Sequence, residues 1–228
     1  MAFAEATPRL PHGATILFQG DSITDGGRGR SLDPNHIFGQ DYAYLIAAHC
    51  GGHFPEQRWS FLNRGISGNK ITDLSNRWQS DALDLKPDIL SILIGINDAS
   101  SAINNNGIGD PRVVSIERYE VVYDQLIQST LAILPKVKLV LCEPFILPVG
   151  QRVIDKWSLY SQDLMKRQEI VRTLADKIHA PFVPFQAVFT KACKRAPADY
   201  WMWDGIHPTA AGHQLMADEW LRVVNHKL

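Results

Sequence analysis

The chain has 228 residues, 45% hydrophobic and 21% charged, and a formal net charge of -1. That length supplies one sizeable core, and the balanced charge gives no electrostatic basis for binding nucleic acid or a membrane surface. No apolar stretch is long enough to cross a bilayer, Glu5 and Pro8 break the N-terminus before a leader pattern develops, and the cysteines (Cys50, Cys142, Cys193) are odd in number with no CxxC; a cytoplasmic protein with reduced thiols is expected.

In chain order, the first apolar run is Ala14–Gln19, which reads as a buried strand and stops at Gly20-Asp21-Ser22. A helix follows and is expected to end near Gly51-Gly52. The types in His49, Cys50 and His53 would suit a metal, but histidine also suits the negative pole of a helix, and no further ligand pattern lies nearby. Ser60–Asn63 reads as the second strand, followed by Gly65-Ile66-Ser67-Gly68-Asn69. Ile89–Ile94 reads as the third, followed by Gly95-Ile96-Asn97-Asp98. The segment Ile103–Gly107 reads as a loop beside the cleft.

Tyr119, Val122, Tyr123, Leu126, Ile127, Thr130, Leu131 and Leu134 recur at three and four residues and line one helix face. Val137–Leu141 is the fourth strand. The proline-stiffened segment after it, Glu143–Gly150, is a candidate wall of a site. Tyr160, Leu164, Val171, Leu174 and Ile178 mark another helix, Ala180–Val183 the fifth strand, and Met216, Trp220, Val223 and Val224 a last helix opened by Pro208. Continuous apolar strands alternating with amphipathic helices predict a parallel sheet covered on both faces, in one domain spanning 1–228. In such a sheet ligands bind beyond the carboxyl ends of the strands, so chemistry is expected just after them.

The residue types at those strand ends suit acyl transfer. Ser22 reads either as a helix cap or as a nucleophile; small neighbours would let a substrate approach it closely. Asp204 and His207 are three apart, which in a helical turn puts them on one face. There the carboxylate can accept from one imidazole nitrogen and leave the other to face a serine. As a helix start, the same pair would be a capping aspartate with an incidental histidine. Gly68 permits a tight turn with a free N–H, and the Asn97 amide donates without adding charge. Such fixed donors stabilise a developing oxyanion by about 2.7–4 kcal/mol each. Both also have ordinary turn readings. There is no GxSxG elbow at Ser22 and no phosphate loop. Asp21 and Trp203 are the candidate substrate contacts; for Trp203, which with Trp201 and Met202 precedes Asp204, a stacking contact stands beside the favoured reading of packing under the loop.

The blocks "GDSITDGG", "GISGN", "GIND" and "DGIHP", in this order from Gly20 to Pro208, resemble the four blocks of the SGNH hydrolase (GDSL-type esterase) family. The resemblance implies a flavodoxin-like three-layer α/β/α fold with a five-stranded parallel sheet and no metal or cofactor. It implies Ser22 as nucleophile, His207 as base and Asp204 as its orienting acid. The backbone N–H groups of Ser22 and Gly68, with the Asn97 side chain, would make the oxyanion hole. Within the family, "RGISGN", Arg77-Trp78 and "WDGIHPTAAGH" are most similar to intracellular acetylxylan esterases and related carbohydrate acetylesterases. The implied partner is a small-molecule or oligosaccharide ester, with self-association common among such enzymes. A lipid acyl hydrolase of the same fold, or a sugar-binding module without catalysis, are the alternatives.

Overall fold

The computed structural model describes residues 8–31, 33, 35–104 and 113–228. Its sheet has five parallel strands, β1 (Thr15–Gly20), β2 (Ser60–Asn63), β3 (Ile89–Leu93), β4 (Lys138–Cys142) and β5 (Phe182–Val183), in the order β2-β1-β3-β4-β5. These fall on the five apolar runs of the sequence, shifted by a residue or two at the ends. The strand order is the doubly wound one, and it reverses direction between β1 and β3. Those two strands carry Ser22 and Asn97 just beyond their carboxyl ends, so the topology itself brings the first and third sequence blocks side by side.

The two faces of the sheet sort by strand alternation. Ile16, Phe18, Ile89, Leu93, Val140, Cys142 and Val183 point into one core, with helices α2 (Tyr42–His53) and α10 (Ala210–Lys227). Leu17, Leu90, Ile92, Leu139, Leu141 and Phe182 point into the other, with α3 (Ile71–Trp78), α5 (Ile116–Ile133) and much of α7 (Trp157–Lys177). The amphipathic faces read from sequence are the buried ones: Tyr119, Tyr123, Leu126, Ile127 and Thr130 on α5, and Met216, Trp220, Val223 and Val224 on α10. Trp220 is fully buried, and its indole donates to Ser91 Oγ at 3.0 Å on the sheet face that α10 covers. The remaining helices are α1 (Ser22–Asp25), α4 (Ile96–Asn104), α6 (Gln151–Ile154), α8 (Phe185–Ala192) and α9 (Ala198–Trp201).

Three boundaries differ from the sequence reading. Helix α2 runs through Gly51-Gly52 to His53, because the preceding turns bury Ile46 and Cys50 and carry the helix onward. Pro208 does not open α10; Thr209 is its cap, with Oγ1 accepting from Gly212 N, and Pro208 pairs with Met202 in a short antiparallel bridge. Ile103 and Asn104 close α4, while 105–107 lie outside the described residues. No helix among the described residues is long and apolar enough to cross a membrane.

Candidate active site

Ser22 is the first residue of α1, not its cap. The cap is Asp21, whose Oδ1 accepts from Ile23 N at 3.0 Å. As a first-turn residue Ser22 has no intrahelical acceptor for its own N–H, which stays available to a ligand. Asp21 is 1% exposed, and burial pushes its carboxyl up to about 7. Capping α1 turns the Asp21 side chain inward, beneath the serine.

His207 and Asp204 lie in the loop between α9 and α10. The loop is closed like a hairpin by the Met202–Pro208 bridge and by Trp203 N donating to His207 O at 2.8 Å. The helical turn imagined for this pair does not form; an aspartate-centred turn does the same work. Asp204 Oδ1 accepts from the backbone N–H groups of Ile206 (2.9 Å) and His207 (2.8 Å), leaving Oδ2 for His207 Nδ1 at 2.8 Å. His207 Nε2 then lies 2.8 Å from Ser22 Oγ, across 185 positions of chain. Burial acts to raise the Asp204 carboxyl, but the His207 and Ile206 N–H groups and the imidazole outweigh it and hold it below the usual carboxylate range.

The 143–150 segment backs this loop. Leu147 N donates to Gly205 O at 3.0 Å, and Phe145, Ile146 and Leu147 are buried. Gly205 has φ +89°, and a Cβ there would lie 2.5 Å from Leu147 O and 2.6 Å from Val149 O. The Gly205→Ala variant combines that clash with a left-handed strain of about 1–3 kcal/mol. It is expected to displace His207 from Ser22, lowering kcat at least about tenfold together with the thermal midpoint; paired kinetics and melting would show both.

The second block forms a β-turn. Asn69 N donates to Ile66 O at 3.1 Å, with Ser67 and Gly68 at its corners and Gly68 at φ +82°. A positive φ at the third position is that of a type II turn, whose closing bond does not use that residue's N–H. A Cβ on Gly68 would meet nothing within 4 Å, so backbone conformation, and not space, calls for glycine. Asn97, in the first turn of α4, reaches the same loop: its Nδ2 donates to Asn69 O at 3.2 Å, which uses one amide hydrogen and leaves the other. Tyr119 OH donates to Ile94 O at 2.8 Å and fixes the end of β3 just before it.

Arg77 and Trp78 are structural here. Arg77 spans Asn69 Oδ1, Asp81 and Gly20 O, and the Trp78 indole donates to Thr130 Oγ1. Of the tryptophan pair at the loop, Trp201 is buried, whereas Trp203 is 72% exposed. On α2, His49 and His53 stack with ring centroids 4.5 Å apart while Cys50 turns into the core. Among the described residues no group of three or more His, Cys, Asp or Glu is placed to hold a metal ion.

A further set of residues ties α1 to the second block and went unread in the sequence. The two hydrogens of Asn63 Nδ2 are shared among Thr24 O, Phe38 O and Asp41 Oδ2, and Asn63 Oδ1 accepts from Gly65 N. Asp25 accepts from Ser67. The available signal was a carboxylate at the carboxyl end of α1, where the helix dipole disfavours it, followed closely by Arg28 and Arg30.

A doubly wound sheet with a serine, histidine and aspartate in relay beyond its strand ends defines the acyl-hydrolase class. The chain belongs to the GDSL-like lipase/acylhydrolase family, whose model matches residues 18–215. It is 31% identical over 224 residues to an acetylxylan esterase of Geobacillus stearothermophilus, covering 95% of this chain and 96% of that protein. The crystal structure of that esterase, Axe2, superposes with a TM-score of 0.83 at 30% identity, over 95% of this chain and 96% of the other. A protein from Parabacteroides merdae described as a GDSL-like lipase gives a TM-score of 0.87 at 38% identity, over 96% and 99% of the two chains.

Proposed function

We propose that this protein is a serine esterase that removes acetyl groups from acetylated carbohydrates, with xylo-oligosaccharides as the favoured substrates, acting as one domain through an acyl-enzyme. The observation that carries the reading is the relay of two 2.8 Å contacts, Ser22 Oγ to His207 Nε2 and His207 Nδ1 to Asp204 Oδ2. Asp204 holds the Nδ1–H tautomer, so Nε2 is free to accept the Ser22 proton as the hydroxyl attacks the acetyl carbonyl. The carbonyl oxygen becomes an oxyanion facing the N–H groups of Ser22 and Gly68 and the Asn97 amide. His207 then gives its proton to the departing sugar oxygen and the acetyl group stays on Ser22. Water, deprotonated by the same imidazole, attacks that ester and frees acetate and the serine. Nucleophile, base and oxyanion donors all come from side chains and backbone of this chain, so the reading invokes no cofactor.

The carbohydrate part rests on the similarity to the acetylxylan esterase, for which serine-to-alanine and aspartate-to-alanine variants are described as catalytic mutants. Trp203, exposed beside Asp204, offers a ring for a sugar to stack on. Three unpaired cysteines, two of them buried, are in keeping with a reducing, cytoplasmic setting.

The test is a panel of acetylated xylo-oligosaccharides with p-nitrophenyl acetate and octanoate, alongside labelling by a serine-directed fluorophosphonate. Acetate is expected to exceed octanoate in kcat/KM by at least about tenfold, the scale set by one misfit methylene, and label is expected at Ser22. Octanoate as the better substrate would make it a lipid acyl hydrolase. Absence of label and turnover would leave a binding module.

A further inference from the structure

We propose that Asp25 is a positioning residue for the oxyanion hole: it holds the Ser67–Gly68 peptide in the orientation that aims the Gly68 N–H at the oxyanion formed when Ser22 attacks. The proposal rests on the reading of Ser22 and Gly68 given above.

Asp25 is the last residue of α1, three positions beyond the nucleophile, and is 2% exposed. Its Oδ2 accepts from Ser67 N at 2.8 Å and from Ser67 Oγ at 3.0 Å, and is paired with the Arg30 guanidinium; its Oδ1 accepts from Arg28 N at 3.2 Å. Burial works to raise this carboxyl, yet Arg30 and the two Ser67 donors prevail and hold it below the ordinary value, so it is an anion at neutral pH. Arg28 Nε donates to Gly65 O at 2.8 Å, and Ile66 N donates to Gly20 O at 3.1 Å. The segment leaving α1 therefore grips the second block at Gly65 and Ser67.

The grip matters because of the turn it acts on. Type I and type II turns differ mainly by a rotation of the central peptide, a change of about 150° in one torsion and roughly 170° in the next. Here that peptide is Ser67–Gly68. Glycine at the third position permits both states, so the residue that gives the oxyanion its donor also leaves the donor free to swing away. Two hydrogen bonds that Ser67, the residue just before the pivot, donates to an anchored anion select one state. Because Asp25 belongs to the same short helix as Ser22, nucleophile and donor are held to a common frame.

The experiment measures kcat and KM on p-nitrophenyl acetate per fluorophosphonate-labelled site for Asp25→Ala, Asp25→Asn and Ser67→Ala, with affinity for a boronic acid that forms a tetrahedral adduct on Ser22. Asp25→Ala is expected to lose about 10²- to 10³-fold in kcat, the effect of removing one oxyanion donor, with KM within threefold. Boronic acid affinity is expected to fall in parallel. Asp25→Asn, which keeps an acceptor for the Ser67 N–H, is expected to recover at least tenfold of the loss. Ser67→Ala, which keeps only the backbone bond, is expected to lose about tenfold. A purely structural role would lower the labelled fraction or the melting temperature and leave kcat per labelled site within threefold of wild type; that result overturns the proposal. Should Asp25→Ala fail to fold, wild-type kcat per site in both Asp25→Asn and Ser67→Ala overturns it equally. A wild-type protein that takes no label at Ser22 would instead defeat the esterase reading itself.

Discussion

Ser22→Ala is expected to lower kcat for p-nitrophenyl acetate by about 10⁴- to 10⁶-fold, the scale on which serine-hydrolase triads fail when the nucleophile goes. The fold should survive. Ser22 sits in the first turn of α1, partly exposed, and among the described residues its hydroxyl hydrogen-bonds only His207. The cap that holds α1 in place belongs to Asp21 and is untouched. Circular dichroism and the melting temperature should therefore match wild type while turnover and fluorophosphonate labelling vanish. A variant that hydrolyses the ester at a near-normal rate would show that another group attacks the carbonyl, and the relay would lose its chemical meaning.

Asp204→Asn is expected to cost about 10⁴-fold in kcat with little change in KM. The size of the effect follows from the tautomer. Asp204 Oδ1 is committed to two backbone N–H groups, and an asparagine oxygen can keep both bonds. Its amide nitrogen would then face His207 Nδ1, a donor set against a donor. The imidazole escapes by moving its proton to Nε2, where it can no longer accept from Ser22. Geometry would be preserved and the base lost. Because the Asp204 carboxyl is held below its usual range, it is an anion at neutral pH, and its hold on the imidazole is lost only as the pH falls through that lowered value. A variant within tenfold of wild-type kcat would remove Asp204 from the relay.

The site also shows how neighbouring carboxylates are given different work by their surroundings. Asp21 is capped inward and pushed up to about 7, and Asp98, buried and accepting from Ile71 N, is pushed up to about 6. Asp25 and Asp204, each met by cationic or multiple N–H donors, are lowered. Burial alone penalises the charged form; only directed donors restore it. The two aspartates with restored charge are those that face His207 and the Ser67–Gly68 turn, while the two raised ones hold helix starts.

Much of the fold was legible in the residue order because its causes are local. Strand runs such as Ile89–Ile94 and helix faces such as Tyr119 to Thr130 announce themselves through periodicity, which needs no knowledge of what lies opposite. The four short blocks were legible too, since glycines, a serine, an asparagine and an Asp–His pair fell together after strands or before the last helix. Tertiary structure alone decided the rest. No spacing encodes that β1 lies beside β3, which is what sets Ser22 beside Asn97, or that a loop 185 positions away delivers His207 to within 2.8 Å of the serine. The turn around Asp204 stands in place of a helical one because the Met202–Pro208 bridge closes a hairpin-like loop that keeps those residues out of α10. Asp21 and Asp25 sit four apart in one motif, and their opposite fates depend on which elements pack over them, an arrangement set by the three-dimensional chain and not by the motif.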